Sequence, residues 1–588
     1  VASRYVVGID LGTTNSALAF VDTHSDIGPQ VLAIPQVVHP GQVEDRPLLP
    51  SFLYLPKAGE VPGGALRLPW AADRDFAVGE YARRQGSQIE TRLVSSAKSW
   101  LSHAGVDRKA AILPFKAGED DRRISPVEAS TRYLQHLAEA WNAAMPNAPL
   151  AEQEILLTVP ASFDPAAREL TVEAARAAGL EHLTLLEEPQ AAFYAWLQAQ
   201  GEAWRDRVGV GDAILVCDVG GGTTDLTLIL VEEEAGQLVL TRVAVGDHIL
   251  LGGDNMDLAL AYFLAQKLGT KLDMGQMLML RHSAREAKEA LLADPGRPSA
   301  PVTVVGRGSK IVAGTLRTEL TQEELAQLLL DGFFPDCPAD AIPRVAHTAG
   351  FAEMGLPYAN DPAITKHLAY FLSRHGGEAV PRVSAVLFNG GVFKAAPFQS
   401  RIEHVLNRWK EKKAEPIQVL PSADLDLAVA RGAAYYGLVR RGKGVRIRGG
   451  TARTYYVGIE TAQPAVPGMP PPLKALCVVP FGMEEGTAMD VPGHESFLVV
   501  NTPVEFRFLS STVRQADPVG LMLEEWDESE LEEMAPLSTT LVSESVQSPY
   551  VPVRLHSKVT EVGTLELWCL SRDGQQRWKL EFNVRERR

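Results

Sequence analysis

The chain lacks the marks of a membrane, secreted or nucleic-acid-binding protein. No uninterrupted apolar run approaches the length that crosses a bilayer. The first residues read as a strand carrying Asp10 rather than as a signal peptide. Cysteine is scarce: Cys217, Cys337, Cys477 and Cys569 lie far apart without metal-ligand spacing, which points to a reducing compartment and a cytoplasmic location. Positive charge is in deficit, with 57 Lys and Arg against 73 Asp and Glu and a formal charge of −16. That balance argues against a general nucleic-acid binder, because nothing basic dominates to neutralise phosphates. A Gly-x₄-Gly-Lys-Ser/Thr loop and a His-Glu-x-x-His pair are both missing, which removes Walker-type nucleotidases and zinc peptidases. The sequence starts at Val1 rather than Met, so either end can be a cut through a longer chain. With 588 residues it is too long for one core and suggests two or three domains.

What is present centres on Ala213 to Leu230, AILVCDVGGGTTDLTLIL. The apolar run Ile214 to Cys217 reads as a buried strand that ends at Asp218. Gly220-Gly221-Gly222 then makes a turn that residues without a Cβ make easily. Thr223, Thr224 and Asp225 lead into the alternating Leu226, Leu228 and Leu230 of a second strand. Such a hairpin offers backbone N–H groups and hydroxyls to an anion. The same grammar stands near the start, where Val6 to Asp10 is followed by Leu11-Gly12-Thr13-Thr14-Asn15 and then Ala17, Leu18 and Phe20. Either motif alone reads best as a structural hairpin. The pair, with Asp at the same point in each, points to a duplicated lobe with phosphate between the halves.

In chain order, Leu48 to Leu55 and Phe76 to Gly79 read as short strands, and helical periodicity runs from about Glu80 past Lys98. A lysine in that setting often snorkels to water. Ser125 caps a helix through Trp141, with Glu128 completing a capping box. Glu154 to Val159 is a strand stopped by Pro160, Asp164-Pro165 opens a helix containing Arg168, and Glu187-Glu188-Pro189 leads from a strand into another helix. In the second half, Gly252-Gly253-Asp254 starts a helix, 277–293 is helical, and Val383 to Phe388 is a strand delivering Asn389-Gly390-Gly391. Asp424 to Leu438 reads as an Ala-rich helix. Beyond a basic, glycine-rich boundary at Arg440 to Thr451, short alternating runs (497–500, 504–508, 551–555, 565–567) suggest an all-β domain. Glu524 to Glu533 is an acidic cluster that reads as a solvated loop or helix face.

GIDLGTTNS at 8–16, LLEEPQAA at 185–192, DVGGGTTD at 218–225, LGGDNMD at 251–257, FNGGVFKAAP at 388–397 and VTEVGTLELW at 559–568 resemble, in order, the seventy-kilodalton heat-shock chaperone (DnaK-type) family. The resemblance is strong over about 1–440 and looser beyond. It implies two actin-like (ribonuclease-H-like) α/β lobes, about 1–207 and 208–398 with closing helices to 440, that bind ATP or ADP. A linker at 441–455 and a β-sandwich at 456–588 that holds extended peptide would follow. By the same resemblance, Gly12, Thr13, Thr14 and Asn15 match the first phosphate loop, and Gly220, Gly221, Gly222 and Thr223 the second, with Gly252 and Gly253 nearby. Asp10, Glu188, Asp218 and Asp225 fall on acidic positions around hydrated Mg²⁺ and the attacking water, and Lys98 on the catalytic lysine. Pro160 and Arg168 match positions that relay nucleotide state, although a turn proline and a surface arginine read nearly as well.

The resemblance also shows departures. At the adenosine end Lys288 is kept, while Arg285, Glu289 and Leu292 replace an acid, a basic or apolar residue and a serine. Gly390, Gly391 and Asp426 are kept, while Val392 and Lys394 replace a serine and an arginine. The stems of Glu289 and Lys394 remain able to flank a ring. In the linker only Val445 and Ile447 offer an apolar face, and Pro464, Pro467, Pro470, Pro471 and Pro472 crowd a segment where the family lines its peptide groove. No helical lid follows Asn583, which fits either a lidless relative or a shortened chain. The function implied is an ATPase that controls binding of unfolded or client polypeptide, served by cochaperones and a nucleotide exchange factor. Neither nucleic acid nor membrane is implied as a partner. The alternatives are a nucleotide-gated scaffold with little hydrolysis and a small-molecule kinase of the same superfamily.

Overall fold

The computed structural model describes residues 3–583 apart from 87, 104, 235–236, 248, 295, 306–314, 345–355, 376–382, 411–413, 423, 445–446, 449–450, 452, 462–472, 485, 494–495, 512, 528–529, 535, 544–549, 561 and 563. Val445 and the proline cluster Pro464 to Pro472 therefore lie outside the described residues. The chain divides into two compact units, Val1–Arg446 and Ile447–Arg588.

Lobe I of the first unit is built on β1 (Tyr5–Leu11) and β2 (Asn15–Asp22), an antiparallel hairpin whose residues are almost all buried. Helix α1 (Ala97–Leu101) and the long α2 (Pro126–Ala144) follow. Ser125 caps α2 by accepting a bond from the Glu128 N–H at 3.0 Å. Strand β3 (Glu154–Val159), helix α3 (Pro165–Ala177, capped by Asp164), strand β4 (Leu183–Glu187) and helix α4 (Glu188–Gln200) complete the lobe. Lobe II begins with β5 (Ala213–Val219), β6 (Thr224–Glu234) and β7 (Gln237–Val245), then α5 (Gly253–Leu268) and α6 (Met274–Ala293). It ends with β8 (Val383–Asn389), α7 (Ala396–Trp409) and β9 (Gln418–Leu420).

The two sheets have the same topology. Lobe I runs β4-β3-β1-β2, and lobe II runs β9-β8-β5-β6-β7. In each, the hairpin pairs antiparallel, and the first hairpin strand pairs in parallel with the next strand outward. The carboxyl ends of those parallel strands carry Asp10 and Asp218, the place where open α/β sheets bind ligands. Separate apolar cores lie in the two lobes. Helix α8 (Ala428–Arg440) follows lobe II in sequence but packs on lobe I, burying Ala430 and Ala434 against Ala17, Ala19 and Val21. It crosses α4 so closely that a Cβ on Gly432 would stand 1.7 Å from the Ala191 carbonyl oxygen.

Several readings of the sequence are corrected. The periodic stretch from Glu80 past Lys98 is not one helix. It breaks after Gly86 into a single 3₁₀ turn and a short strand at Leu93–Val94, and Ser96 then adopts a left-handed backbone, φ 54°, before α1. Leu93 and Val94 are drawn into pairing with Leu53–Tyr54, so tertiary pairing overrides helical spacing there. The Ala-rich helix starts at Ala428 rather than Asp424. The run 504–508 splits at Arg507, whose carbonyl accepts from the Gly458 N–H. Of the acidic cluster, Glu532–Glu533 form a short edge strand paired with Leu509 and Ser510.

Every described regular element after Ile447 is a strand. Strand β10 (Thr454–Glu460) lies between β11 (Leu473–Val479) and β12 (Phe508–Ser511). Strands β13 (Tyr550–Val559), β14 (Thr564–Ser571) and β15 (Arg577–Asn583) form a second antiparallel set. One core takes Tyr455, Leu476 and Phe508 from the first set and Leu555, Leu567 and Phe582 from the second. Among the described residues no helix is long and apolar enough to cross a membrane.

Candidate functional site

Between the lobes of the first unit lies a cleft of about 740 Å³, within the range of small-molecule sites. Both hairpin turns reach it: Gly12, Thr13, Thr14 and Asn15 from lobe I, and Gly220, Gly221 and Thr223 from lobe II. The loops touch across it. A Cβ on Gly221 would stand 1.9 Å from Thr14 Oγ1, and one on Gly222 would stand 2.8 Å from Thr13 Cγ2, so glycine is required for the approach. Gly390 holds φ +86° beside the Val219 carbonyl, a second place where only glycine fits.

The charged floor is assembled from four elements. Asp10 and Asp218 are next to last in β1 and β5, Lys98 stands on α1 and Glu188 is the first residue of α4. Lys98 is 7 % exposed and bonds directly to Glu188, so it does not snorkel to solvent. Burial pushes the Asp10 carboxyl up to about 7, helped by the Glu188 charge and opposed by Lys98. Burial likewise pushes Asp218 up to about 8, with Glu188 adding to it and the Asn389 side chain pulling it back. Glu188 is raised by burial against the pull of Lys98. Burial draws the Lys98 ammonium down, yet Glu188 and Asp10 outweigh it and leave its pKa above the ordinary lysine value.

The nucleoside-side residues expected from sequence also line this cleft: Gly253, Arg285, Lys288, Glu289, Leu292, Gly390, Gly391, Val392, Lys394 and Asp426. Their charged members are paired within the protein. Lys288 Nζ lies 2.6 Å from Asp257 Oδ1, Arg285 Nε donates to Glu289 Oε1 at 3.0 Å, and Lys394 pairs with Asp426.

Five expected residues lie outside the lining. Gly222 and Gly252 serve packing, Gly252 against the Gly220 and Gly221 carbonyls. Asp225 is buried behind the floor and accepts from Ser162 Oγ at 2.7 Å. Pro160 is buried at the end of β3. Arg168 is not a surface arginine: it is 5 % exposed and donates to the Ala161 carbonyl at 2.9 Å. Its guanidinium also faces Glu187, which accepts from Arg242 of β7 at 2.9 Å, so a buried charge cluster joins the lobes directly behind Glu188.

Sequence reasoning missed Asn389, Asp257, Arg46, Arg83 and Glu80, which also line the cleft. For Asn389 the signal was its place at a strand end one residue before Gly390-Gly391; the others follow from packing between elements far apart in sequence.

Whether a hydrated cation fits can be judged from the donor set. The Glu188 charge raises both Asp10 and Asp218, and Asp10 adds to the rise of Asp218, so the three carboxyls are close, and hard cations favour such carboxylates. Among the described residues no three acidic, His or Cys side chains converge to hold a metal ion directly. Asp10, Asp218 and Glu188 in the cleft lining are oxygen donors of the kind that suits a hydrated Mg²⁺-like cation, which keeps several of its waters and takes few direct carboxylate contacts. Chemically, two N–H-rich loops, a buried lysine and a ring of acids can grip a polyphosphate and polarise a water beside it.

A family model described as Hsp70 protein matches residues 6–333. A Chaperone protein DnaK of Thermotoga petrophila is 30% identical over 291 residues, 48% of this chain and 41% of the relative. A Chaperone protein HscA homolog of Bordetella pertussis is 32% identical over 338 residues, 56% and 47%, and a Chaperone protein HscA of Serratia proteamaculans is 32% identical over 302 residues, 49% and 42%. The chain thus spans somewhat under half the length of the curated relatives it matches.

Proposed function

The chain belongs to the Hsp70 family, and from that premise we propose that it is a Mg²⁺-dependent ATPase of chaperone type whose nucleotide state governs binding and release of unfolded or client polypeptide. One observation carries the reading: both Gly-Thr loops, Lys98, Glu188, Asp10 and Asp218 face a single cleft. In it, Gly12 to Asn15 and Gly220 to Thr223 bind the β- and γ-phosphates through N–H groups and hydroxyls. Lys98, oriented by Glu188, offsets charge developing on the transferred phosphoryl group, and Glu188 with Asp225 behind it orients the attacking water. Mg²⁺, when bound, neutralises phosphate charge; Asp10, Asp218 and Glu188 hold it through its waters. Lys288, Arg285, Glu289, Gly390, Gly391, Lys394 and Asp426 receive the nucleoside. Pro160 and Arg168 report its state, since Arg168 touches Glu187, the residue before Glu188.

The actin-like duplicated lobes supply the ATPase, and the strands of the second unit form a β-sandwich for polypeptide. That unit leaves Phe497 70 % exposed, paired in register with Pro552, an apolar surface for an extended segment. Cochaperones and a nucleotide exchange factor are the further partners proposed, with no nucleic-acid or membrane partner, in a cytoplasmic compartment that keeps the four buried thiols reduced. The mutual pairing of Arg285 with Glu289 and of Lys394 with Asp426 favours a second reading, a scaffold that binds nucleotide but turns it over little.

Phosphate release measured with and without an unfolded peptide separates the two. The ATPase reading expects Mg²⁺-dependent release without added sugar or polyol, stimulated by peptide in the full chain and not in 1–446. It also expects a loss of roughly 10²–10³-fold in Lys98→Ala and Asp218→Asn. Wild-type turnover no faster than those variants decides for the scaffold.

A further inference from the structure

The matched topology of the lobes places one residue beside each aspartate. In lobe I, β1 and β3 pair so that Asp10 stands opposite Thr158; in lobe II, β5 and β8 pair so that Asp218 stands opposite Asn389. Both partners are polar residues near the carboxyl end of their strands, each directly after three apolar residues, and both are buried, Thr158 at 0 % and Asn389 at 2 % exposure. Each donates to its aspartate. Thr158 Oγ1 reaches Asp10 Oδ1 at 3.3 Å, and Asn389 Nδ2 reaches Asp218 Oδ2 at 2.7 Å. The two hydrogen bonds are therefore counterparts in the duplicated scaffold, made by different chemistries.

We propose that Asn389 is a positioning residue of the nucleotide cleft, fixing one oxygen of Asp218 so that the other is presented to the hydrated cation, as Thr158 does for Asp10.

The proposal rests on the nucleotide reading given above and adds to it a residue outside the two phosphate loops and the nucleoside set. Three features argue for it. The residues before Asn389 on β8, Val386, Leu387 and Phe388, are apolar, so packing alone would put another apolar side chain there. Asn389 Oδ1 is buried without a hydrogen-bond partner, an arrangement that packing alone disfavours and that a donor entering the cleft would relieve. A neutral amide is also the suitable donor for the purpose. It locks a carboxylate in one orientation while leaving its full charge for a cation, which a lysine or arginine at that register would neutralise. Partners of this kind typically change metal affinity by roughly 10–100-fold when removed.

The test is calorimetric titration of Mg²⁺ into the full chain saturated with ADP, alongside ADP affinity measured in EDTA. Asn389→Leu, close in shape, is expected to weaken Mg²⁺ uptake by about 10–100-fold. It should leave ADP affinity in EDTA within about twofold, with thermal unfolding as the check that the variant is folded, since it removes one unpartnered acceptor on Asn389 and orphans another on Asp218. Asn389→Thr, which installs the donor lobe I uses at this register, should recover part of the loss. If Asn389→Leu does not fold, Asn389→Ala decides by the same criterion. Mg²⁺ uptake equal to wild type in the folded variant overturns the assignment while leaving the nucleotide reading standing. A wild-type chain that takes up no Mg²⁺ with ADP overturns both.

Discussion

Substituting Gly221 by alanine tests whether the two loops act as one phosphate grip. The added methyl would lie 1.9 Å from Thr14 Oγ1 and 3.1 Å from Thr14 Cβ. The first distance is about 1.5 Å short of ordinary contact, and no small shift absorbs it. Two responses are open. Thr14 can rotate about χ1, but it is β-branched, its rotamers are few, and even then its Cβ must give by a few tenths of an ångström. Otherwise the loops part, and overpacking of this kind costs roughly 1–3 kcal/mol. Either way the Thr14 hydroxyl leaves the place where it faces the opposite loop. A hydrogen bond to a charged group contributes roughly 1.5–3 kcal/mol, so ATP affinity should fall about ten- to hundredfold. The assay is nucleotide titration of Gly221→Ala, Thr14→Ala and the double variant, with thermal unfolding as a check on folding. In the double variant the hydroxyl clash is gone and only the milder 3.1 Å approach to the residue 14 Cβ remains, so it should bind little worse than Thr14→Ala alone. Wild-type affinity in Gly221→Ala, or losses that simply add in the double variant, would refute the idea that the loops grip one ligand together.

Two further outcomes follow from the charges. In the cation-free chain Asp10 and Asp218 sit at about 7 and about 8, against roughly 3.9 when unfolded. Because the folded form binds protons more tightly, the stability these groups give is full below about pH 4 and is lost as pH rises through 7 and 8, by an order of a few kcal/mol. The thermal midpoint of the nucleotide-free chain should thus fall between about pH 6 and 8 and flatten with Mg²⁺ and ADP; a midpoint that climbs across that window contradicts it. Arg242→Met removes the lobe II partner of Glu187, whose side chain is 1 % exposed. Leaving a buried charge uncompensated costs roughly 3–5 kcal/mol; Arg168 still faces Glu187 in this variant, so the loss read by urea unfolding should lie below that range, and a loss under about 1 kcal/mol would mean the cluster is not what joins the lobes there.

The parts of this protein that were legible in its sequence are those in which one residue type has one physical use. Glycine after an Asp-ended apolar run meant a close turn in both lobes, and the structure places those turns against each other because Gly221 and Gly222 leave room for Thr14 and Thr13. Helix starts at Ser125 and Asp164 were readable because their caps are local, each accepting an N–H three residues on. Lys98 was ambiguous for the opposite reason. Its partner Glu188 is 90 positions away, and periodicity around it suggested one long helix that pairing of Leu93–Val94 with Leu53–Tyr54 breaks. The Arg168–Glu187–Arg242 cluster was out of reach altogether, since three elements from two lobes must meet before any of its charges has a reason to be buried.

The same reasoning explains why the floor of the cleft tolerates so many acids. Asp10, Asp218, Glu188 and Asp225 are all raised by burial, and Lys98 offsets part of their charge. Their remaining partners are neutral donors: Thr158 on Asp10, Asn389 on Asp218 and Ser162 on Asp225. A core selected only for stability would replace such a set by apolar residues of similar volume, because burying ionisable groups without full compensation costs more than it returns. Neutral donors keep the carboxylates oriented without cancelling them, and near neutral pH protons occupy Asp10 and Asp218 until a cation takes their place. A cation entering with its phosphates displaces those protons and meets the acids at a fixed geometry. Stabilisation by Mg²⁺ and ADP together should therefore exceed the sum of their separate effects. A thermal-shift series with each alone and both combined, giving merely additive shifts, would show that the acids and the phosphate loops do not serve one ligand.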